Sequence, residues 1–167
     1  MIKKIFFIAL ATAISSFLPA MQPNQSQEKN DITYTYLPEQ SYLFGTIDPK
    51  RWSYGFHLFQ EEEQDLKRII AQNEHQEIVG AISFGGVDEK QNEIQWLEVL
   101  PCARGKGIGS ELLKRAIVQL YTENKPKRVF LYSTKTALPF YCKNGMSRDI
   151  RKSLLLYVSA DQIELIK

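Results

Sequence analysis

The sequence predicts a mixed α/β fold in which helices pack against a central twisted β-sheet. Short apolar runs, which are typical of strands, alternate along the chain with stretches of helical periodicity. From Leu66 onwards the predicted order is strand, strand, strand, helix, strand, helix, strand, which fits a mixed sheet with flanking helices. A length of 167 residues and a hydrophobic content of 44% provide enough apolar material for one domain with a real core.

The composition excludes several classes of protein, namely collagen, disordered tails and cysteine-rich mini-proteins. The 21 basic and 19 acidic residues give a formal net charge of +2, which is too small to indicate a nucleic-acid binder, so no nucleic-acid partner is expected. Cys102 and Cys142 could form one disulfide in an oxidising compartment, but we expect both to be free structural thiols. No metal site is expected.

Residues 1–20 have the three-part layout of a secretory signal peptide. Lys3 and Lys4 form a short basic start, residues 5–14 are uncharged and mostly apolar, and residues 15–20 are more polar and end in a small residue. The apolar run is shorter than the roughly 20 residues that span a bilayer, so no stable membrane span is expected beyond this leader. An uncleaved anchor or an amphiphilic helix is the alternative. Removal of the leader would also remove both lysines and the formal charge of +2.

The rest of the chain is predicted to form a single domain. Residues 21–31 have almost no apolar content and predict a flexible linker, which leaves residues 32–167 for the domain. Its strands are predicted at Ile32–Tyr36, Leu66–Ala71, Glu77–Phe84, Ile94–Leu100, Val129–Tyr132 and Leu154–Val158. A short polar turn joins the second and third strands, which indicates antiparallel pairing. Residues 41–59 show no clean period, and the acidic run at residues 61–65 is interpreted as a solvated face.

Two helices are predicted. The first carries apolar residues at helical spacing over Ile108–Leu120 and is ended by Asn124 and Pro126. The second covers Ala137–Lys143, where Thr136 is expected to cap the start. Gly145 is expected to close the second helix in a left-handed conformation.

A glycine-rich loop, Arg104–Ser110, joins a strand to the long helix, with glycine at every second position from Gly105 to Gly109. Glycines let the backbone turn sharply and approach a ligand closely, and a helix start presents unpaired amides and the positive end of its dipole. This geometry suits a phosphate or pyrophosphate, with Arg104 and Lys106 adding positive charge at the rim. The P-loop and dinucleotide-binding patterns are both absent. A glycine-rich turn without a ligand is the alternative.

Two segments together resemble the GNAT N-acetyltransferase superfamily. Val99–Gly109 is similar to the acyl-CoA-binding segment of that family, which has the pattern Arg/Gln-x-x-Gly-x-Gly/Ala after a strand. Ala137–Met146 is similar to the later Ala-x-x-x-Tyr-x-x-x-Gly-Phe segment. The resemblance covers about residues 66–158 and implies the GNAT-like acyl-CoA N-acyltransferase fold. Thr134, where many relatives have asparagine, and Met146, in place of phenylalanine, are mild departures.

The resemblance implies acetyl-CoA as a co-substrate, whose pantetheine arm would lie like an extra strand in a gap beside Leu97–Leu100. The backbone amides of Val99 and Leu100 would then bond the arm and polarise the thioester carbonyl. The pyrophosphate would be held by the amides of Gly105, Gly107, Gly109 and Ser110, with charge from Arg104 and Lys106.

The resemblance also implies a base that takes a proton from an acceptor amine and an acid that restores the thiol of CoA. Glu93, six residues before Val99, matches the position of the catalytic glutamate in some family members. Glu98 is the second candidate, since it points to the opposite face of its strand from Leu97 and Val99. Tyr141 falls on the position of the thiol-protonating tyrosine. Solvated carboxylates and a packing tyrosine are the alternatives.

These observations predict an N-acetyltransferase that moves an acetyl group from acetyl-CoA to an amine by direct transfer. The acceptor is left open between small molecules, peptides and proteins. A non-catalytic exported interaction module, or a CoA-binding sensor on the same fold, is the alternative. The chain is expected to be periplasmic or secreted if the leader functions and cytoplasmic if it does not. Because acyl-CoA is a cytosolic metabolite, an exported enzyme would lack its donor.

Overall fold

The computed structural model describes residues 31–37, 51–52, 66–85 and 92–165. The predicted leader, all but the last residue of the predicted linker, and the acidic run at residues 61–65 lie outside these ranges. Both segments that carry the family resemblance lie inside them. No helix within the described ranges has the length and apolar character needed to cross a bilayer.

Seven strands form one mixed sheet. They are β1 Thr33–Leu37, β2 Leu66–Gln72, β3 Ile78–Gly85, β4 Glu93–Val99, β5 Arg128–Tyr132, β6 Ser147–Arg148 and β7 Leu155–Ser159. Their order across the sheet is β1-β2-β3-β4-β5-β7-β6. All neighbours are antiparallel except β4 and β5, which are parallel. The predicted fold class and the antiparallel pairing of the second and third strands are confirmed.

In the part of the chain that the structure describes, three helices accompany the sheet: α1 Ile108–Asn124, α2 Leu138–Lys143 and α3 Ala160–Glu164. A short 3-10 turn spans Pro101–Ala103. The helices α1 and α2 are the two predicted ones. The five residues of α3 and the two residues of β6 were not predicted, because elements this short show no measurable periodicity.

The start of α2 differs from the prediction, and its end agrees with it. The predicted cap at Thr136 is wrong, because Ala137 is the N-cap residue and no side chain caps the helix. The backbone turn before α2 is closed instead by Thr134, whose carbonyl and hydroxyl oxygens accept the Ala137 N–H at 3.2 and 3.3 Å. Gly145 follows α2 with a φ of +85°, so the predicted left-handed residue is confirmed.

Two apolar clusters lie on the two faces of the sheet. The long helix α1 packs on one face, called here the α1 face, through the predicted stripe of Ile108, Leu112, Leu113, Ala116, Ile117 and Leu120. Neighbouring strand residues alternate between the clusters, as Ile69 and Ile70 do in β2. On the opposite face, Trp52 packs with Ile70, Ala81 and Leu100. The sheet is therefore covered on both sides around β2, β3 and β4.

The strands β4 and β5 separate after a short contact. Their parallel pairing consists of Glu93 with Phe130 and Ile94 with Leu131. The β3–β4 register shifts directly afterwards, because Gln95 is an additional residue in β4. A bulge of this kind bends a strand and increases its local twist. Among the described strands, only β3 is paired with β4 from Trp96 to Val99, which leaves a fork between β4 and β5.

Candidate functional site

A cleft of about 500 Å³ opens at the fork. One wall is formed by the end of β4 and the glycine-rich loop, and the other by α2 with Phe140 and Tyr141. The cleft lies beyond the carboxyl end of a parallel strand and at the start of α1, a place where ligands commonly bind in α/β sheets. The segments Val99–Gly109 and Ala137–Met146, which carry the family resemblance, thus face each other across one cleft.

The glycine-rich loop owes its openness to its backbone conformation. Gly105 and Gly107 both have a φ of +79°, which residues with a Cβ rarely adopt. A Cβ at either position would meet nothing within 4 Å, so the conformation and not a lack of space calls for glycine. Gly109 differs, since a Cβ there would lie 3.3 Å from the Phe140 ring. The loop is open at its first two glycines and packed at the third.

The start of α1 presents backbone amides to the cleft. Gly107 is the N-cap residue, and no side chain caps the helix. The hydrogen bond that opens the helical ladder runs from the Glu111 N–H to the Gly107 carbonyl, at 3.0 Å. The amides of Ile108, Gly109 and Ser110 precede this bond, and such amides are suited to hold an anion. All three residues line the cleft.

The edge of β4 that faces the cleft also presents amides. The Leu100 N–H donates to the Val79 carbonyl of β3 at 2.9 Å. Successive amides of a strand point to opposite sides, so those of Leu97 and Val99 point away from β3 and into the fork. Val99 therefore lies where its predicted role requires.

The predicted role of Leu100 is corrected. Its amide is already bonded to β3, and its side chain, 1% exposed, is buried in the cluster on the opposite face. The sequence reasoning missed Leu97, which lines the cleft and whose amide has the required direction. The alternation of amides along β4 identifies Leu97 once the β3–β4 register is known.

The two cations of the loop lie on different sides of it. Arg104 lines the cleft, and its Nε donates to the Val99 carbonyl at 3.0 Å, which holds the guanidinium at the rim. Lys106 lines a separate recess together with Asn73, Glu77 and Cys102. The structure brings Arg104 to the cleft and does not bring Lys106 to it.

Tyr141 stands on the α2 wall of the cleft. It is 9% exposed, and its ring packs edge-on against Phe140 with 5.0 Å between the ring centroids. Burial raises the pKa of Tyr141 to about 12, because the phenolate would lose its solvation there. At neutral pH the residue is therefore a neutral hydrogen-bond donor that faces the cleft.

The two candidate carboxylates lie on the opposite face of the sheet. Their strand neighbours pack on the α1 face, so the alternation of side chains directs both Glu93 and Glu98 away from α1, as predicted for Glu98. Glu98 lines the cleft. Glu93 lies beside Phe130 at the closed end of the fork and accepts a hydrogen bond from Gln95 at 3.2 Å. About 20 Å of strand separates Glu93 from Val99, so Glu93 and the cleft amides are not brought together.

Cys102 and Cys142 are exposed free thiols, as expected. Within the described part of the chain, no three His, Cys, Asp or Glu side chains are grouped so that they could hold a metal ion. Met146, which departs from the family pattern, is buried in the main core and fills an interior position there.

Comparison with known proteins gives one family match. The model of the acetyltransferase (GNAT) family matches residues 30–146, which is more than half of the chain and contains both walls of the cleft. No curated protein sequence matches the chain.

Several solved structures share the fold at low sequence identity. The AtaTR complex bound with acetyl-CoA is 19% identical, with a TM-score of 0.63 over 81% of this chain and 98% of that one. The KacTA–DNA complex is 18% identical, with a TM-score of 0.61 over 81% and 97% of the two chains. A mutant of the spermidine N-acetyltransferase SpeG from Vibrio cholerae is 13% identical, with a TM-score of 0.56 over 80% and 96%. At these identities the similarity shows the fold alone.

Proposed function

The chain belongs to the acetyltransferase (GNAT) family, and we propose that it transfers an acetyl group from acetyl-CoA directly to an amine. The observation that carries this proposal is the fork between β4 and β5, which leaves a strand edge unpaired beside the amide-rich start of α1. An unpaired edge can bond an extended amide-bearing chain as an added strand. A helix start suits a diphosphate. The pantetheine arm and the diphosphate of CoA have these two chemistries.

The residues that line the cleft fit this co-substrate. Its volume of about 500 Å³ lies within the range of about 300–1,000 Å³ that is usual for cofactor sites. Gly105 and Gly107 leave free space above the loop, and the Arg104 guanidinium provides positive charge at the rim. The loop amides from Gly107 to Ser110 are proposed to hold the diphosphate.

Acetyl-CoA supplies the acetyl group as a thioester, whose carbonyl oxygen gains negative charge during transfer. The amides of Leu97 and Val99 are fixed donors that point into the fork, where we propose that this charge develops. A preorganised donor of this kind lowers the barrier by about 3 kcal/mol.

Tyr141 is proposed to stabilise the departing sulfur. Its phenol keeps its proton at neutral pH, since burial raises its pKa to about 12. A thiol is the stronger acid, with a pKa of about 8.5, so complete transfer of the phenol proton to the sulfur is unfavourable. Tyr141 then acts by donating a hydrogen bond to the sulfur, which is a smaller role than the full proton transfer that the resemblance implies.

The base is proposed to be a carboxylate on the opposite face of the sheet. Because the loop and α1 occupy the α1 face, the acceptor amine would approach from the opposite face. Glu98 is the first candidate because it lines the cleft there. Glu93, which the family resemblance favours, remains the second candidate at the closed end of the fork.

The acceptor is proposed as an amine on a small molecule, a peptide or a protein. The solved structures that share the fold include a spermidine N-acetyltransferase and a toxin bound to its antitoxin, so the fold is compatible with diverse partners. The proposed activity therefore rests on the cleft, and the acceptor has to be found by experiment.

Thermal unfolding of the full chain with and without acetyl-CoA tests the proposal. A ligand at 100 times its Kd stabilises the folded state by about 2.7 kcal/mol, so we expect a clear upward shift in Tm. Citrate, an anion without a phosphate group, is the control for unspecific anion binding at the same concentration. An absent shift would overturn the proposal and favour the non-catalytic interaction module. A shift without thioester consumption on a panel of amines would favour the CoA-binding sensor.

The cellular location is proposed to depend on the predicted leader. A chain that keeps Met1 would either stay in the cytoplasm together with acetyl-CoA or be held at the membrane by an uncleaved leader, whereas cleavage near residue 20 would mean export. Mass spectrometry of the N-terminus of the purified protein distinguishes the two outcomes.

A further inference from the structure

Basic residues are concentrated in one part of the chain. Residues 125–152 contain eight of the 21 lysines and arginines and one of the 19 acidic residues. The eight are Lys125, Lys127, Arg128, Lys135, Lys143, Arg148, Arg151 and Lys152. All of them are exposed, and none forms an ion pair with a residue that the structure describes. The net charge of the chain hides this excess, because acidic residues predominate elsewhere.

The opposite face of the sheet is aromatic over β5 and β7. Alternate residues of both strands pack into the main core, so the residues between them point to the opposite face. There Phe130 pairs with Tyr157, and Tyr132 pairs with Leu155. None of these four side chains belongs to the apolar clusters formed by the described residues. Tyr132 is 57% exposed, which is unusual for a large aromatic residue in a strand.

Cations border this aromatic face at both ends. At one end the Arg128 guanidinium lies over the Tyr157 ring, 4.5 Å from its centroid. At the other end the Ser133 N–H donates to the Leu154 carbonyl at 2.8 Å, which joins the segment after β5 to the turn between β6 and β7. This bond brings both segments to the end of the sheet where Tyr132 lies. The cations that these segments carry are Lys135, Arg151 and Lys152.

We propose that this surface binds single-stranded nucleic acid. It is formed by Arg128, Phe130, Tyr132, Tyr157 and the three cations carried by the segments at the Tyr132 end of the sheet. Phosphates pair with lysine and arginine regardless of sequence. Unpaired bases stack on exposed aromatic rings. An acidic peptide would match the charge but would leave the tyrosine without a stacking partner, and a duplex would keep its bases inside.

Three acidic groups adjoin this basic–aromatic surface and limit where phosphates can lie. Glu93 pairs with Phe130 at the inner border, beside the fork. Asp161 follows β7 at the Arg128 end. Asp149 lies in the β6–β7 turn, where its carboxylate accepts the Arg151 N–H at 2.7 Å. We expect the principal phosphate contacts at the Tyr132 end. That end carries three cations and one carboxylate, that of Asp149, which already accepts a hydrogen bond.

The sequence-based expectation of no nucleic-acid partner rests on the formal net charge of the chain. A net charge contains no information about where the charged residues lie. The proposal does not depend on acetyl transfer, since no residue of the basic–aromatic surface is assigned to the cleft. Either proposal can therefore fail without the other.

Fluorescence anisotropy with the full chain tests the proposal. The probes are a labelled 15-nucleotide single-stranded RNA, the same RNA as a duplex, and a labelled polyglutamate peptide. We expect the single strand to bind most tightly and its affinity to fall with rising salt. Absence of binding at low salt, or binding of the duplex or of polyglutamate as tight as that of the single strand, would overturn the proposal.

Two variants separate stacking from charge. Tyr132→Ala is expected to weaken single-strand binding about tenfold, because base stacking on the ring is lost. Its matched control is Tyr36→Ala, another strand tyrosine with 46% exposure, at the other edge of the sheet. Replacing Arg151 and Lys152 together by alanine is expected to reduce the slope of log affinity against log salt by about 1.4.

The control for the double variant is Lys114→Ala, which removes an exposed cation from α1 on the other face. Equal effects of Tyr132→Ala and Tyr36→Ala would overturn the stacking role. An unchanged salt slope in the double variant would overturn the phosphate contacts, whether or not Tyr132→Ala folds. Circular dichroism verifies folding of each variant.

Discussion

The two junctions of β4 with its neighbours differ, although they share one strand. Towards β3, β4 is paired from Ile94 to Val99 with one irregularity. Towards β5, only Glu93 and Ile94 are paired. The difference begins at the additional residue Gln95, beyond which β4 follows β3 and leaves β5. One added residue is thus associated with continuous strand pairing on one side of β4 and an open strand edge on the other.

Glycine is required for a different reason beside the closed β3–β4 junction than beside the open β4–β5 junction. At the closed one, a Cβ on Gly80 of β3 would lie 3.0 Å from Ile108 and 3.1 Å from Leu112, so glycine permits α1 to pack closely. In the loop at the open one, Gly105 and Gly107 have free space but a φ that disfavours side chains. The closed junction is therefore a packing site, whereas the open junction has the features of a binding site.

The largest effect is expected from Gly107→Glu in the open junction. A carboxylate at the start of α1 would oppose the proposed diphosphate, and like charges brought together cost several kcal/mol. We expect calorimetry to show an acetyl-CoA affinity at least about 100-fold lower. Gly107→Ala controls for the φ of +79°. Thr122→Glu, which adds the same single negative charge at an exposed position near the other end of α1, controls for the added charge. If Gly107→Glu binds like the wild type, the diphosphate does not lie in this loop.

Tyr141→Phe tests the α2 wall of the fork. Loss of the hydrogen bond that the phenol donates to the departing sulfur is expected to lower kcat about 100-fold. The KM for acetyl-CoA should stay nearly constant, because the ring and its packing on Phe140 are retained. Tyr36→Phe, far from the cleft on β1, is the control. A variant with wild-type kcat would exclude a role for the hydroxyl in the transfer step.

Glu98→Gln and Glu93→Gln compare the open and closed ends of the fork. Because Glu98 lines the cleft, we expect its replacement to lower kcat by about tenfold to 100-fold. Glu93→Gln should have a smaller effect. The reverse order of effects would assign the base to the closed end, as the family resemblance implies.

The pKa of Tyr141 predicts a loss of stability at high pH. The ordinary tyrosine pKa is 10.0, and burial raises it to about 12 in the folded protein. Between these values the unfolded chain has lost a proton that the folded chain keeps, so the free energy of unfolding falls as pH rises. The stability is fully present below pH 10, and about 1.4 kcal/mol of it should be lost by pH 11.

Urea unfolding of the wild type and of Tyr141→Phe at pH 9 and pH 11 measures this loss. The variant lacks the titrating group, so its stability should fall less between the two pH values. Equal losses in the two proteins would show that Tyr141 titrates normally and is not buried in solution.

The sequence was sufficient to predict those helices and strands whose apolar residues recur at a regular spacing. The apolar stripe of α1 repeats at helical spacing, and its first residue, Ile108, could be predicted from that spacing together with the glycine loop. The additional residue Gln95 could not be predicted, because the residues of β4 form one unbroken strand pattern. Without the β3–β4 register, the direction of each backbone amide cannot be predicted. The sequence therefore suggests the Leu100 amide as a donor to the cleft, whereas in the structure the Leu97 amide points into the fork.

Side chains on loops were also beyond the sequence pattern. The loop contains two residues with a φ of +79°, and Arg104 and Lys106 line different recesses beside it. The clustering of cations over residues 125–152 is visible in the sequence, but its position beside exposed aromatic rings requires the pairing of β5 with β7.

The smallest effect is expected from Gly80→Val in the closed junction. Overpacking against Ile108 and Leu112 costs about 1–3 kcal/mol, and removal of a strand glycine returns about 0.5–1 kcal/mol. A net loss near 1 kcal/mol lowers Tm by about 2–4 °C. Gly80→Ala adds only the Cβ, which would lie 3.0 Å from Ile108, so we expect a smaller loss of Tm than for Gly80→Val. Since Gly80 does not line the cleft, acetyl-CoA affinity should persist in both variants. A loss of affinity that exceeds the loss of stability would instead show that the closed junction sets the geometry of the open one.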